Sequence, residues 1–205
     1  MGKVTTSASM SLDGFIAGPA ETGFEHLFAW HRNGDIEVPS ADPRWSFRLS
    51  PASAEHLRHQ MTAFGALVVG RRLFDVTQGW GGRHPFGVPV YVVTHRAPAD
   101  WAHPEAPFTF VTDGLHSAIQ QAKATAGARD VGVAAGDLAR QALDAGLVDE
   151  IHVDLVPVLL GAGTRLVGDL TNAPITLGTP RVVESAGVTH LYYAVNKESG
   201  HPVNK

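Results

Sequence analysis

Short apolar runs rich in β-branched residues recur along the chain: "ALVVG" (66–70), "VPVYVVT" (88–94), "FTFVT" (108–112) and "VGVAA" (131–135). Each has the length and composition of a strand buried on both faces. Helical periods lie between them. Ala54, Leu57, Met61 and Phe64 recur at three and four residues, behind Ser50 as an N-cap and Pro51 at the first helical position. Leu115, Ala118, Ile119, Ala122 and Ala126 form a second stripe behind Asp113, and Leu138, Ala139, Ala142, Leu143 and Gly146 a third. Strands alternating with helices predict an α/β fold with a mixed, mostly parallel sheet covered on both faces. After residue 150 the pattern changes: 150–160, 181–184 and 188–195 follow one another with no helix-length segment between. They predict antiparallel strands closing the sheet. Residues 18–50 show no period and read as a long excursion over the surface, the kind of loop that tends to carry function.

With 205 residues, 44% hydrophobic and 18% charged, the chain fits one domain over 1–200 with a short tail, 201–205. A formal net charge of −4 without a basic run excludes a sequence-blind nucleic-acid binder, which needs a cationic stripe to displace counterions. No nucleic-acid and no membrane partner is expected; a small molecule is. The absence of cysteine removes disulfides and thiolate zinc sites. Neither a signal-peptide core nor a run of membrane-spanning length is present, so the expected location is cytoplasmic.

In an open α/β sheet ligands sit at the carboxyl ends of the strands, and three junctions qualify. At "LVVGRRLFDV" a strand ends at Gly70 and a helix begins with Arg71, Arg72 and Leu73, where two guanidinium forks suit a phosphate, including the 2′-phosphate of NADP. Solvated helix-start arginines are the competing account. At "YVVTHR", Thr94, His95 and Arg96 add a hydroxyl, an imidazole and a further fork. At "VAAGDL", the small residues Ala134, Ala135 and Gly136 let a pyrophosphate approach the backbone ahead of Asp137 and Leu138. Tight helix-on-sheet packing asks for the same residues. No G-x-G-x-x-G fingerprint is present. Trp30 and Trp80 are the right shape to stack on a flat heterocycle or to anchor loops.

Taken in order, "SMSLDGFIAG" (9–18), "ALVVGRRLFDV" (66–76), "VPVYVVTHR" (88–96) and "VAAGDLARQALDAGLVDEIHVDLVPVLLGAGTRL" (133–166) resemble the dihydrofolate-reductase-like superfamily, specifically its riboflavin-biosynthesis reductase branch, also called deaminase-reductase C-terminal domain proteins. The likeness covers nearly the whole chain. It implies a single three-layer domain around a sheet of eight or more strands, with NADPH along the strand ends. Gly70, Arg71, Arg72 and Leu73 with Thr94, His95 and Arg96 would hold the adenosine phosphates. Ala135, Gly136, Asp137 and Leu138 would follow the pyrophosphate and nicotinamide, with Ala17 beside them. Relatives carry Gly-Gly, often with a cis peptide, where this chain has Ala135-Gly136.

On the substrate side the resemblance implies Asp13 and Ile16 near the nicotinamide pocket, although Asp13-Gly14 also reads as a plain β-turn. It places Asp154 near the bound heterocycle, with a solvated sheet-edge position as the competing account. Reductases acting on dihydrofolate use a carboxylate on the helix before the Gly-Arg strand, for which Glu55 is the nearest residue. His56 and His59 share that helix and read as surface residues; no metal site is expected. The implied activity is NADPH-dependent hydride transfer to a small pterin-like, pyrimidine-like or carbonyl substrate, akin to a 5-amino-6-(5-phosphoribosylamino)uracil reductase, in a homodimer paired through the C-terminal strands. The alternative is a non-catalytic protein that binds a nucleotide or flavin on the same fold.

Overall fold

A computed structural model describes residues 2–197; the expected tail, 201–205, lies outside them. The chain forms an eight-stranded sheet in the order β11-β12-β9-β1-β8-β5-β6-β7. Its strands are β1 (Val4–Ser11), β5 (Phe64–Gly70), β6 (Val90–Val93), β7 (Phe108–Val111), β8 (Asp130–Ala134), β9 (Glu150–Val156), β11 (Arg181–Ser185) and β12 (Val188–Ala194). From β9 to β7 every neighbouring pair is parallel, while β12 is antiparallel to β9 and β11 to β12. The carboxyl ends of six strands therefore share one edge. Two short pairs complete the β-structure: β2 (Phe15–Ala17) with β10 (Thr164–Arg165), and the hairpin β3 (Ile36–Pro39) with β4 (Ser46–Leu49).

Helices cover both faces because both faces of the parallel strands are apolar. On one side α4 (Leu115–Ala126) and α5 (Asp137–Asp144) bury Ala118, Ile119, Ala122, Leu138 and Ala142 against Val4, Val68, Val131, Val133, Ile151 and Val153. The packing is close enough that a Cβ on Gly65 would meet the Ala126 Cα at 2.7 Å. On the other side α2 (Pro51–Ala63) lies with Ala54 and Leu57 against Val156 and Val188, and α3 (Arg71–Val76) lays Phe74 on Val69, Val90 and Val92. This is the three-layer arrangement the periods predict. Helix α2 starts at Pro51 as expected, but Ser50 makes no side-chain cap; its hydroxyl meets that of Ser185 on β11 instead.

Residues 18–50 correct the sequence reading. They contain the hairpin, a short helix α1 (Phe24–Leu27) with buried Leu27, and buried Trp30, Val38, Phe47 and Leu49, which join the α2 core. The segment is a cap that belongs to the core rather than a surface loop. Its apolar residues are spaced by turns, so no period betrays it. No helix among the described residues is long and apolar enough to cross a membrane.

Candidate active site

The site is built on β1. Its register with β8 and β9 puts Val4, Thr6, Ala8 and Met10 on the α4/α5 face and Thr5, Ser7, Ser9 and Ser11 on the other, alongside Gly132, His152 and Asp154. A row of small polar side chains thus runs along the middle of the sheet, on the face carrying α2 and α3. The hydroxyls of Thr5 and Thr6 are buried without a hydrogen-bond partner. This row was missed in the sequence because both faces of β1 mix small and polar residues; the alternation Thr5, Ser7, Ser9, Ser11 was the available signal.

At the carboxyl edge the three predicted junctions converge. Arg71 donates to the carbonyl of Arg96 at 3.0 Å and to Asp75 at 2.8 Å, which ties the turn after β5 to the turn after β6. Within the latter, buried Thr94 donates its hydroxyl to the Arg96 carbonyl at 2.9 Å, leaving His95 and Arg96 exposed. Arg72 is exposed and pairs with Glu21 from the cap. A Cβ on Gly70 would lie 3.6 Å from Leu138, so the third junction adjoins the first. There Gly136 has φ +83°, a conformation that L side chains rarely adopt, and a Cβ added to it would meet Ile16 and Thr164 at 3.7 Å. Its N–H bonds the Leu166 carbonyl at 2.8 Å. Leu138 and Ala17 are buried at this junction, and Asp137 pairs with Arg140 at 2.9 Å. The Ala135–Gly136 bond is trans; the cis bond among the described residues is Ala173–Pro174.

Asp13 does not face a pocket with a free carboxylate. Ser11 to Gly14 form the β-turn, closed by Gly14 N–H to the Ser11 carbonyl at 2.9 Å. The Asp13 side chain accepts the Ser11 hydroxyl at 2.6 Å and the Leu160 and Gly161 N–H groups at 3.1 and 2.6 Å. The Ser11 hydrogen bond, with those of Gly161 and Leu160, holds its carboxyl below the ordinary range. Asp13 therefore fastens the turn after β1 to the loop after β9.

Asp154 is buried, which overturns the solvated-edge account. His190 on β12 donates from Nδ1 to Asp154 Oδ1 at 2.7 Å, and His56 Nε2 lies 3.1 Å from the same oxygen. Burial pushes the Asp154 carboxyl up, but these two imidazoles outweigh it and bring it down to about 2. Glu55 is on the exposed side of α2, and the residue turned inward is His56, so the surface reading of His56 is corrected while His59 is exposed. One residue on a helix rotates the side chain by about 100°.

The two tryptophans part company. Trp30 is 2% exposed, donates its indole N–H to Ser9 at 3.0 Å and sets its edge against His190 at 5.1 Å. It anchors the cap over the β1 row and has no free face to stack on a ligand. Trp80 packs on His84 and on Phe108, the first residue of β7. That position is at the amino-end edge of the sheet, away from the three junctions, so Trp80 leaves the candidate substrate site.

A three-layer α/β domain around an eight-stranded, mostly parallel sheet closed by antiparallel C-terminal strands is the architecture of the dihydrofolate-reductase-like fold. The chain belongs to the RibD C-terminal domain family, whose model matches residues 2–190. Among solved structures, a protein from Shewanella sp. PV-4 assigned to riboflavin biosynthesis is similar over 95% of this chain and 99% of its own, with TM-score 0.70 and 20% identity. RibD from Acinetobacter baumannii matches in one crystal form with TM-score 0.64 and 15% identity, over 96% of this chain and 58% of that one. A second form gives TM-score 0.58 and 14% identity, over 96% and 59%. No curated protein matches the chain.

Proposed function

We propose that the protein is an NADPH-dependent reductase of a small heterocyclic or carbonyl substrate. The carrying observation is the convergence of three strand-end turns, with Arg71 bonded to the Arg96 carbonyl and Gly70 against Leu138, beside the polar face of β1. The residues present fit the cofactor. Arg71, Arg72 and Arg96 supply cationic donors for a 2′-phosphate, with Glu21 and Asp75 as the carboxylates a phosphate would displace. Thr94 and His95 line the same turn. The Ala135-Gly136 turn, where small residues keep the backbone clear of bulky side chains of its own, offers backbone for a pyrophosphate ahead of Asp137 and Leu138, with Ala17 alongside.

NADPH, when bound, supplies a hydride and its two electrons. This chain's own part is to place an electrophilic carbon against the nicotinamide ring and to keep water out. The cap over Trp30 does the second. Exposed Leu12 and Leu159, on the loops after β1 and β9, give the mouth an apolar rim suited to a flat ring. Asp154 lies on the substrate side of the same face, while Asp13 holds the rim loops in place. Glu55, exposed on α2, has no part in this reading.

A phosphoribosylamino-pyrimidine is the first compound to try, because the sequence resemblance implies it and a structural relative is designated a riboflavin biosynthesis protein. A cytoplasmic homodimer completes the proposal; the exposed edge strand β11, with Val182 51% exposed, supports pairing through the C-terminal strands. The test is NADPH consumption by the purified protein with aminopyrimidines, pterins and small carbonyls. Saturable consumption with one class upholds the reading. Binding of NADPH without consumption favours the second reading, a non-catalytic nucleotide or flavin binder, which the commitment of Asp13 to the loop after β9 also supports.

A further inference from the structure

His56 from α2, Asp154 from β9 and His190 from β12 meet in the core: His190 Nδ1 is hydrogen-bonded to Asp154 Oδ1 at 2.7 Å, and His56 Nε2 stands 3.1 Å from the same oxygen, buried and without a hydrogen bond of its own. Their outer nitrogens are also held: His190 Nε2 by the Ser53 hydroxyl at 2.9 Å, and His56 Nδ1 by the Tyr192 hydroxyl. The rings stack with centroids 3.9 Å apart and planes 20° from parallel.

Three buried ligand atoms so close together invite a metal reading, but the stacking opposes it. An ion bound by both imidazoles must lie near both ring planes, at about 2.1 Å from each nitrogen. Two nearly parallel rings stacked at 3.9 Å share no such point. The arrangement instead suits protons. An ionised carboxylate between two neutral imidazoles would leave an uncompensated negative charge among Trp30, Leu57 and Val156. One added proton makes the cluster neutral. A second would set two cations face to face.

The other titratable groups around the cluster leave this count unchanged. His31, packed on Trp30 at 4.2 Å, is kept neutral by burial. His152, two residues before Asp154, is paired with Glu150 at 2.9 Å. Arg181 sits 3.5 Å over the Tyr192 ring, and Glu55 is near enough to act on the Tyr192 phenol. Tyr192 is half-buried, so the path from Asp154 through His56 to Tyr192 ends at solvent between α2 and β12. In the other direction Asp154 lies opposite Ser9 of β1, two residues inside the strand ends.

We propose that His56, Asp154 and His190 hold one shared proton at neutral pH and supply it to the substrate reduced beside the carboxyl end of β1. The proposal rests on the reductase reading and narrows the substrate to a C=N or C=O compound. NADPH, when bound, would supply a hydride with its electron pair to the electrophilic carbon and be oxidised. The π pair would move to the nitrogen or oxygen, which would take the cluster's proton to give N–H or O–H. Both histidines would then be neutral, and a solvent proton would return through Tyr192. These are positioning residues, and none is required to touch the substrate.

The test has two arms. In the first, nitrogen-15 NMR of histidine-labelled protein follows both imidazoles from about pH 5 to about pH 9. The expected result is one imidazolium that persists above pH 7 and is lost in Asp154→Asn, or in His56→Gln should the first variant not fold. Two neutral imidazoles at pH 7 overturn the proposal, as does a stoichiometric transition-metal ion removed only by a chelator. In the second arm, NADPH turnover is measured against pH with an aminopyrimidine or a small carbonyl. Tyr192→Phe is expected to lower kcat by about tenfold or more with KM unchanged. Equal kcat and an identical pH profile overturn the delivery step. A persistent imidazolium in a protein that oxidises no NADPH overturns the reductase reading and delivery with it, while the shared-proton site stands.

Discussion

His190 donates its Nδ1 proton to Asp154 at 2.7 Å across the antiparallel register of β12 and β9, where the two residues are direct partners. The bond joins the C-terminal hairpin to the central sheet from inside the core. Asp154→Ala leaves two buried imidazoles without their common acceptor and is expected to destabilise the fold by about 3–5 kcal/mol in urea denaturation. Asp154→Asn keeps one acceptor oxygen and should cost less; equal costs would show that the charge, not the acceptor oxygen, is what the histidines need.

Trp30 fixes the cap through one hydrogen bond and one aromatic edge. Trp30→Phe removes the indole N–H and leaves the Ser9 hydroxyl buried. A loss of about 1–2 kcal/mol is expected, with faster amide exchange in the cap. No change in stability or exchange would mean that the cap is held by the β3–β4 hairpin alone.

Acid should weaken the fold before its carboxylates titrate. Burial pushes His31 down to about 4 and His84 down to about 3. Both stay neutral in the native state while the unfolded chain takes up protons from about pH 6.5. Stability therefore falls as pH drops from about 6.5 towards 4, on the order of 1 kcal/mol for each histidine. Asp154 acts in a lower window: its folded value is about 2, so its contribution is present above its unfolded value and lost only as pH falls through about 2. Thermal melts across the upper window check this, and His84→Leu should flatten the slope.

Gly136 has φ +83° and ψ −135°, a region almost closed to residues with a Cβ. Space is not the obstacle, since Ile16 and Thr164 stand at 3.7 Å. Gly136→Ala should thus cost about 1–3 kcal/mol of backbone strain. A neutral result in calorimetry would mean the turn relaxes to another conformation.

The sheet and its helices were legible because their periods are set locally, as in "ALVVG" or the Leu115–Ala126 stripe. The cap was not, since Trp30, Val38, Phe47 and Leu49 are buried by tertiary contacts between turns. The strand-end junctions could be found because parallel strands gather their carboxyl ends on one edge. The histidine pair could not: His56 and His190 are brought together only by α2 crossing β12. Choosing Glu55 over His56 then came down to one residue of helix phase.

The central claim is that the strand edge holds NADPH by its 2′-phosphate. Titration of the protein with NADPH and NADH, followed by thermal shift and cofactor fluorescence, tests it most directly when repeated on an Arg71→Ala/Arg72→Ala variant. The account predicts tight binding of NADPH, weaker binding of NADH, and a loss of about 10- to 100-fold for NADPH alone in the variant. Equal affinity for the two nucleotides, or none for either, would contradict it.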